Sequence, residues 1–348
     1  MPRKLHRSDT GFDITCTIRK PHKIQRIICK KLFLFPGEGL GAEGGVIPLA
    51  LPLLIAMAWG LWWWPLRYLT TLGPDIVVIN AGLMTFAAIG LAPLLLFRSL
   101  RQGIGHWSTL VSGALLGIAL IFWNHALVEG TVLRCVVLFY LSPVWSMLVG
   151  RVFLGDAVAP GRLLPLVPAV CAAGLLVVGE GDAGMYFEMA DLLALSAGFA
   201  FTLSGTAARM GPVTWYPRLL IACIAGALVV WPMVGAVPPV AQLAEAGGWI
   251  GLVALMAVLG VCLIFPAQLA AGSVISGRCL LAVLLAEIMT AAVSAALMAD
   301  EPLGPLQWAS LGLITLVAVL ECRQSAVGQP ADGNPSADRI PITPDDHH

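Results

Sequence analysis

The stretch "LLAVLLAEIMTAAVSAAL", residues 280–297, is apolar throughout except for one carboxylate, Glu287, and hydroxyls such as Thr290. An ionised side chain at such a position costs about 3 kcal/mol even on lenient membrane-insertion scales. Glu287 is therefore expected to be neutral, paired, or open to a water-filled cavity. A carboxyl that can gain and lose a proton there is what proton coupling requires. It equally suits a counter-charge for the amine of a bound molecule. A second polar group is the run Asn124-His125, followed by Glu129 and Arg134. Amide and imidazole side chains can bind a ligand or cross-link helices. Glu129, five residues before Arg134, is that residue's expected partner, as an ion pair or part of a gate.

Several chemistries have no carrier. The chain has no GxSxG, no HExxH and no Gly-rich phosphate loop followed by Lys, so no enzymatic activity is expected. Its eight cysteines form no CxxC or zinc-like cluster, so neither metal nor disulfide is expected. No ring of like charge marks a channel filter. No cofactor is expected.

Membrane helices must hold these groups. Of 348 residues, 58% are hydrophobic and 11% charged, with a mean hydropathy of +0.87. A soluble domain carries roughly a quarter charged residues. Ten segments approach the ~20 apolar residues that a spanning helix needs: 46–66, 74–97, 107–129, 134–155, 162–179, 190–208, 216–235, 249–272, 279–299 and 305–322. Residues 1–45, with nine Lys or Arg, read as a basic cytoplasmic tail. Residues 323–348, rich in Pro, Asp and Ser, read as a disordered one. With both termini inside, eighteen of the twenty basic residues fall on the cytoplasmic side, leaving out Arg67 and Arg134. That agrees with the positive-inside rule. Trp62, Trp63 and Trp64 then sit at the outer end of the first helix, as an aromatic belt would.

The chain also repeats itself. Gly117, Leu120, Ile121 and Phe122 match Gly260, Leu263, Ile264 and Phe265. After one inserted residue, Arg134-Cys135 matches Arg278-Cys279, and Asp156 matches Asp300. His125 finds Gln268 as its counterpart. Each half, 46–180 and 188–322, holds five helices. An odd number makes the second half enter from the opposite side. Inverted repeats place a ligand site near the midplane, and halves that rock against each other give alternating access.

At these residues the chain resembles EamA-type members of the drug/metabolite transporter superfamily. "ALVEGTVLRCVVLFYLSPVWSMLVGRVFLGDAVAP" is similar to their fourth-helix signature through Ala126, Leu127, Tyr140, Leu141, Ser142, Pro143, Leu154 and Gly155, with Asp156 in place of the usual Glu. "LMADEPLGPLQWASLGLIT" is similar to the ending of the second repeat. The resemblance covers roughly 46–322. It implies an all-α polytopic membrane protein, two inverted five-helix repeats, and secondary transport, in the export direction, of a small metabolite such as an amino acid. A facilitative carrier or channel-like pore is the alternative. The expected partners are the small molecule, the lipid bilayer and protons, without nucleic acid, in a bacterial inner membrane, as monomer or homodimer. The resemblance places Trp59, Tyr140 and Trp145 on helices that line the central cavity. The chain departs from the family where Glu287 replaces the usual ninth-helix proline, opposite Pro143. Candidate ligand or coupling residues are thus Glu287, His125, Asn124, Trp59, Tyr140, Trp145, Gln268 and Thr290. Candidate gate residues are Glu129, Arg134 and Arg278, and Pro143 is the expected helix kink.

Overall fold

A computed structural model describes residues 47–97, 101–155, 166–178, 187–235, 247–268, 277–301 and 303–327. The expected basic tail 1–45, Asp156 and the chain beyond 327 lie outside these residues. The described part is all helical. In order, α1 comprises Ile47–Gly60 and Trp63–Thr71, and α2 is Ile76–Leu96. Then come α3 (Trp107–Glu129), α4 (Val132–Leu154), α5 (Leu166–Val178), α6 (Met189–Arg209) and α7 (Trp215–Met233). Last are α8 (Gly248–Gln268), α9 (Gly277–Met298) and α10 (Pro305–Val327). Six of them, α2, α3, α4, α6, α7 and α8, are long and apolar enough to cross a membrane. Two boundaries differ from expectation. The first helix runs on to Thr71, and the last reaches Val327, so residues 323–327 are helix rather than tail.

Local chemistry starts several helices. The Asp75 carboxylate accepts the Val77 N–H at 2.5 Å, and the His106 ring accepts the Ser108 N–H at 3.2 Å. Each satisfies one of the donors that a helix start leaves open.

Two helices break in mid-course, and proline explains both. Proline has no N–H, so it cannot bond the carbonyl four residues back. Pro143 leaves the Phe139 carbonyl without its helical partner. The chain turns at Tyr140 and Leu141 and resumes as helix from Ser142. Gly198 of α6 meets this spot, where a Cβ would stand 2.7 Å from the Phe139 oxygen. Pro65 does the same to Leu61, whose carbonyl takes the Trp64 N–H instead, at 3.1 Å. There α1 turns at Leu61 and Trp62. Next to that break, Gly60 packs on α9, where a Cβ would stand 2.5 Å from the Glu287 carbonyl oxygen. A third irregularity is a π-helical stretch, Ala257–Ile264 of α8. Its Gly260 leaves the room that the Trp62 ring occupies. By contrast α9, with Glu287 where α4 has Pro143, is continuous over Gly277–Met298.

The helices pack in a definite pattern. α1 lies on α9 and α6 on α4; α3 lies on α7 and α8 on α2; α4 lies on α5 and α9 on α10. The pairs α2–α7, α4–α9 and α5–α10 are also in contact. The most extensive contact is α3 with α6.

Because the Gly60 and Gly198 contacts are to backbone oxygens, neither neighbour can step aside. Overpacking of this kind costs about 1–3 kcal/mol. Gly60→Ala and Gly198→Ala are each expected to lower the unfolding temperature of the detergent-purified protein. Gly174→Ala, inside α5 with open space around it, is expected to hold or raise it, because alanine favours the helix. Equal behaviour of all three would contradict the close approach.

Candidate functional site

Glu287 sits near the middle of α9, half-buried, facing the breaks in α1 and α4. A side-chain hydrogen bond links it to Tyr140, the residue at the α4 break. Its Oε2 is sealed from the surroundings and has no hydrogen-bond partner among the described residues. The Tyr140 hydroxyl can donate to a carboxylate or to the carbonyl oxygen of a protonated carboxyl. The contact is therefore compatible with both protonation states. Thr290, one turn on, spends its hydroxyl on the Ala286 carbonyl of its own helix, at 2.6 Å, and presents its Cβ to Gly60.

Around this point stand aromatic rings. Trp59 packs on Trp62 and, edge-on, on Phe265 of α8, with ring centroids 5.2 and 5.6 Å away. Tyr140 packs edge-on against Phe139, which meets Trp123 and Phe201. Trp145 lies elsewhere, against Phe199, one of the exposed apolar side chains of α6. The indole N–H groups of Trp59 and Trp145 are sealed and have no partner among the described residues.

Asn124 and His125 join a buried polar chain that reaches across three helices. Trp62 Nε1 donates to Asn124 Oδ1 at 3.0 Å. Asn124 Nδ2 donates to Asn80 Oδ1 at 2.7 Å. Asn80 Nδ2 lies 2.9 Å from His125 Nδ1. Gln268, the expected counterpart of His125, ends α8 half-buried and makes no hydrogen bond among the described residues. The structure does not bring it to the chain of amides.

The tryptophan triplet is not a belt. Trp62 and Trp63 are 8% and 2% exposed, and only Trp64, at 48%, faces outward. Pro65 explains the difference. The turn it imposes swings the two preceding indoles inward, where Trp63 Nε1 donates to Ser294 of α9 at 3.0 Å.

The expected partnership of Glu129 with Arg134 is also corrected. Arg134 is buried and pairs with Asp191 of α6, Nη2 to Oδ2 at 2.5 Å. Glu129 is exposed at the end of α3. The reason is tertiary. The short α3–α4 connection lies on the start of α6, where a Cβ on Gly130 would meet Ala190 at 2.5 Å. That puts Asp191 over the first turn of α4. Asp191 Oδ2 also accepts the Glu188 N–H at 2.8 Å, closing the first turn of α6. Arg278 is in the first turn of α9, and its side chain is outside the described residues. Pro143 occupies the first turn of the resumed α4.

A second ion pair had no forewarning. Arg67 Nη1 meets Glu301 Oε1 at 2.8 Å, and Arg67 Nε donates to the Leu127 carbonyl at 2.9 Å. Glu301 Oε2 accepts the Val132 N–H at 2.9 Å. The guanidinium also lies over the Trp63 ring, 5.2 Å from its centroid. Asn80, Arg67, Asp191, Ser294 and Glu301 were all missed. Two signals were available: Asn80 is a lone amide inside an apolar helix, and Arg67 stands against the positive-inside bias. Asp191 and Glu301 look like ordinary helix-end residues.

Comparison with known proteins adds the following. Residues 46–178 match the EamA-like transporter family, which is a family of multi-pass membrane transporters and not of enzymes. Among curated proteins nothing matches. One solved crystal structure of a protein is similar with a TM-score of 0.53 at 16% identity, over 80% of this chain and 98% of that one. A likeness at that identity speaks for the fold alone.

Breaking a buried pair from one side costs about 3–5 kcal/mol, because the remaining charge is stranded. Arg134→Met is expected to destabilise by that order. The double variant Arg134→Met, Asp191→Asn, which removes both charges and keeps an acceptor for the Glu188 N–H, should recover part of the loss, and Glu129→Gln should stay within about 0.5 kcal/mol of the parent. Thermal unfolding in detergent checks all three. A Glu129→Gln effect as large as that of Arg134→Met would restore Glu129 as the partner.

Proposed function

Residues 46–178 being an EamA-like transporter domain, we propose that the chain is a secondary active transporter of a small metabolite, such as an amino acid. It works by alternating access between two inverted five-helix halves, 46–180 and 188–322, with both termini inside. Glu287 is its proton site. One observation carries this reading: a half-buried carboxyl in mid-helix, with one oxygen unpartnered among the described residues, where α9 meets the broken α4. A group kept for packing alone would have both oxygens bonded.

The packing pattern supports two related halves. Exchanging each helix with the one five further on turns the α1–α9 contact into α6–α4, α3–α7 into α8–α2, and α4–α5 into α9–α10. The pairs α2–α7, α4–α9 and α5–α10 map onto themselves, as pairs on a two-fold axis must. The most extensive contact, α3–α6, has only the slight α8–α1 contact as its counterpart, and the α1–α3 contact has none of similar extent. The polar ends support the orientation. With the N-terminus inside, Arg67 and Arg134 lie on the outer side. Each is paired with a carboxylate there, so neither presents a free cation against the positive-inside bias. Both pairs also join the first half to the second, as closed gates between rocking halves do.

The test is counterflow and pH-gradient-driven transport in vesicles of both orientations, with a panel of amino acids and related metabolites. The parent is expected to respond to an imposed pH gradient. Glu287→Gln keeps the shape and loses the titratable proton. It is expected to retain exchange of the transported molecule and to lose the response to the gradient. Normal gradient dependence in that variant would remove Glu287 from coupling. No transport of any panel member by the parent would overturn the reading itself.

A further inference from the structure

The hydrogen-bond chain from Trp62 to His125 has a direction, and one end sets it. An indole N–H can only donate. The atom of Asn124 that Trp62 Nε1 meets at 3.0 Å must therefore be the amide oxygen. That turns the Asn124 nitrogen toward Asn80, so the atom it meets at 2.7 Å must be the Asn80 oxygen. The Asn80 nitrogen is then the atom facing His125 Nδ1, at 2.9 Å. Asn80 and Asn124 are both buried, so a mismatched donor or acceptor along this chain costs the full desolvation of that group. Flipping Asn124 would strand the indole, and flipping Asn80 alone would set two amide N–H groups against each other.

His125 Nδ1 has a second neighbour, the Ile121 carbonyl, also at 2.9 Å. The nitrogen can accept from Asn80 or donate to Ile121, but not both. The Ile121 carbonyl lies one turn back in the same helix, where the backbone N–H four residues on is its normal donor. It does not need the imidazole. The Asn80 N–H has no such alternative in sight.

We infer that Asn80 is a positioning residue that sets the tautomer of His125. Nδ1 accepts from Asn80, and the ring carries its proton on Nε2. The half-buried ring thereby offers one neutral N–H, free of any bond among the described residues, to an acceptor such as a carbonyl, carboxylate or hydroxyl. Under the transport reading above, on which this use rests, that N–H selects molecules carrying such an acceptor. The relay also ties the donor to Trp62, the residue at the α1 break.

The test is nitrogen–proton NMR of the imidazoles in the full chain, labelled at histidine and held in lipid nanodiscs. It is run above about pH 8, where an ordinary imidazole is neutral. His125→Gln assigns the signal. The parent is expected to show the Nε2–H form. In Asn80→Asp the facing group, once ionised, can only accept, so the signal should move to the Nδ1–H form. In Trp62→Phe the direction is released, and the Nδ1–H form should become populated. An Nδ1–H signal in the parent, or a signal unmoved by both variants, would overturn the inference. Two variants at different links keep the result readable if one fails to fold. The readout needs no transported molecule, so a chain that transports nothing would sink the proposed function and leave this measurement decisive.

Discussion

Inside a bilayer no water stands ready to bond a stray carbonyl or amide, so every polar group must find its partner within the protein. At two helix breaks this chain sets itself that problem on its backbone. Pro65 and Pro143 each leave the carbonyl four residues back without its helical donor. One is answered locally, by the Trp64 N–H on Leu61. At the other, the absence of a side chain on Gly198 leaves room for the Phe139 carbonyl against α6. In both cases the helix turns at that point. The residues at the turns, Trp62 and Tyr140, are thereby aimed inward, toward Asn124 and Glu287. The rest of the site is arranged around these two breaks.

Charge is handled by the same constraint. Arg134 and Asp191 pair in a site almost closed to the surroundings. Arg67 and Glu301 bind each other and between them also hold the Leu127 carbonyl and the Val132 N–H. The two pairs differ in burial: Arg134 and Asp191 are almost closed to the surroundings, whereas the Arg67–Glu301 pair is partly open.

Glu287 stands apart from both. It has a hydroxyl beside it rather than a cation, and one of its oxygens has no bond among the described residues. A neutral hydroxyl tolerates either protonation state, whereas an arginine would hold the carboxylate ionised. The amide relay follows the same economy. Trp62, Asn124 and Asn80 pair donor with acceptor at each link, and the last link falls on His125.

The class of protein, the succession of helices and the inconsistency of Glu287 with its surroundings could all be read from residue types. Each depends on composition or on neighbours within one or two turns. The α4 break was legible from Pro143 by the same logic. The α1 break could have been read from Pro65, had the three tryptophans not looked like an interfacial belt. The partners could not be read. Asp191 sits 57 positions from Arg134 and Glu301 sits 234 from Arg67. Asn80 is 45 from His125. In lipid the demand for a partner is set locally by each polar group, so the sequence by itself determined which residues had to be satisfied. Which group answers is decided only when the helices pack, because the nearest charge along the chain, such as Glu129, can end up facing out.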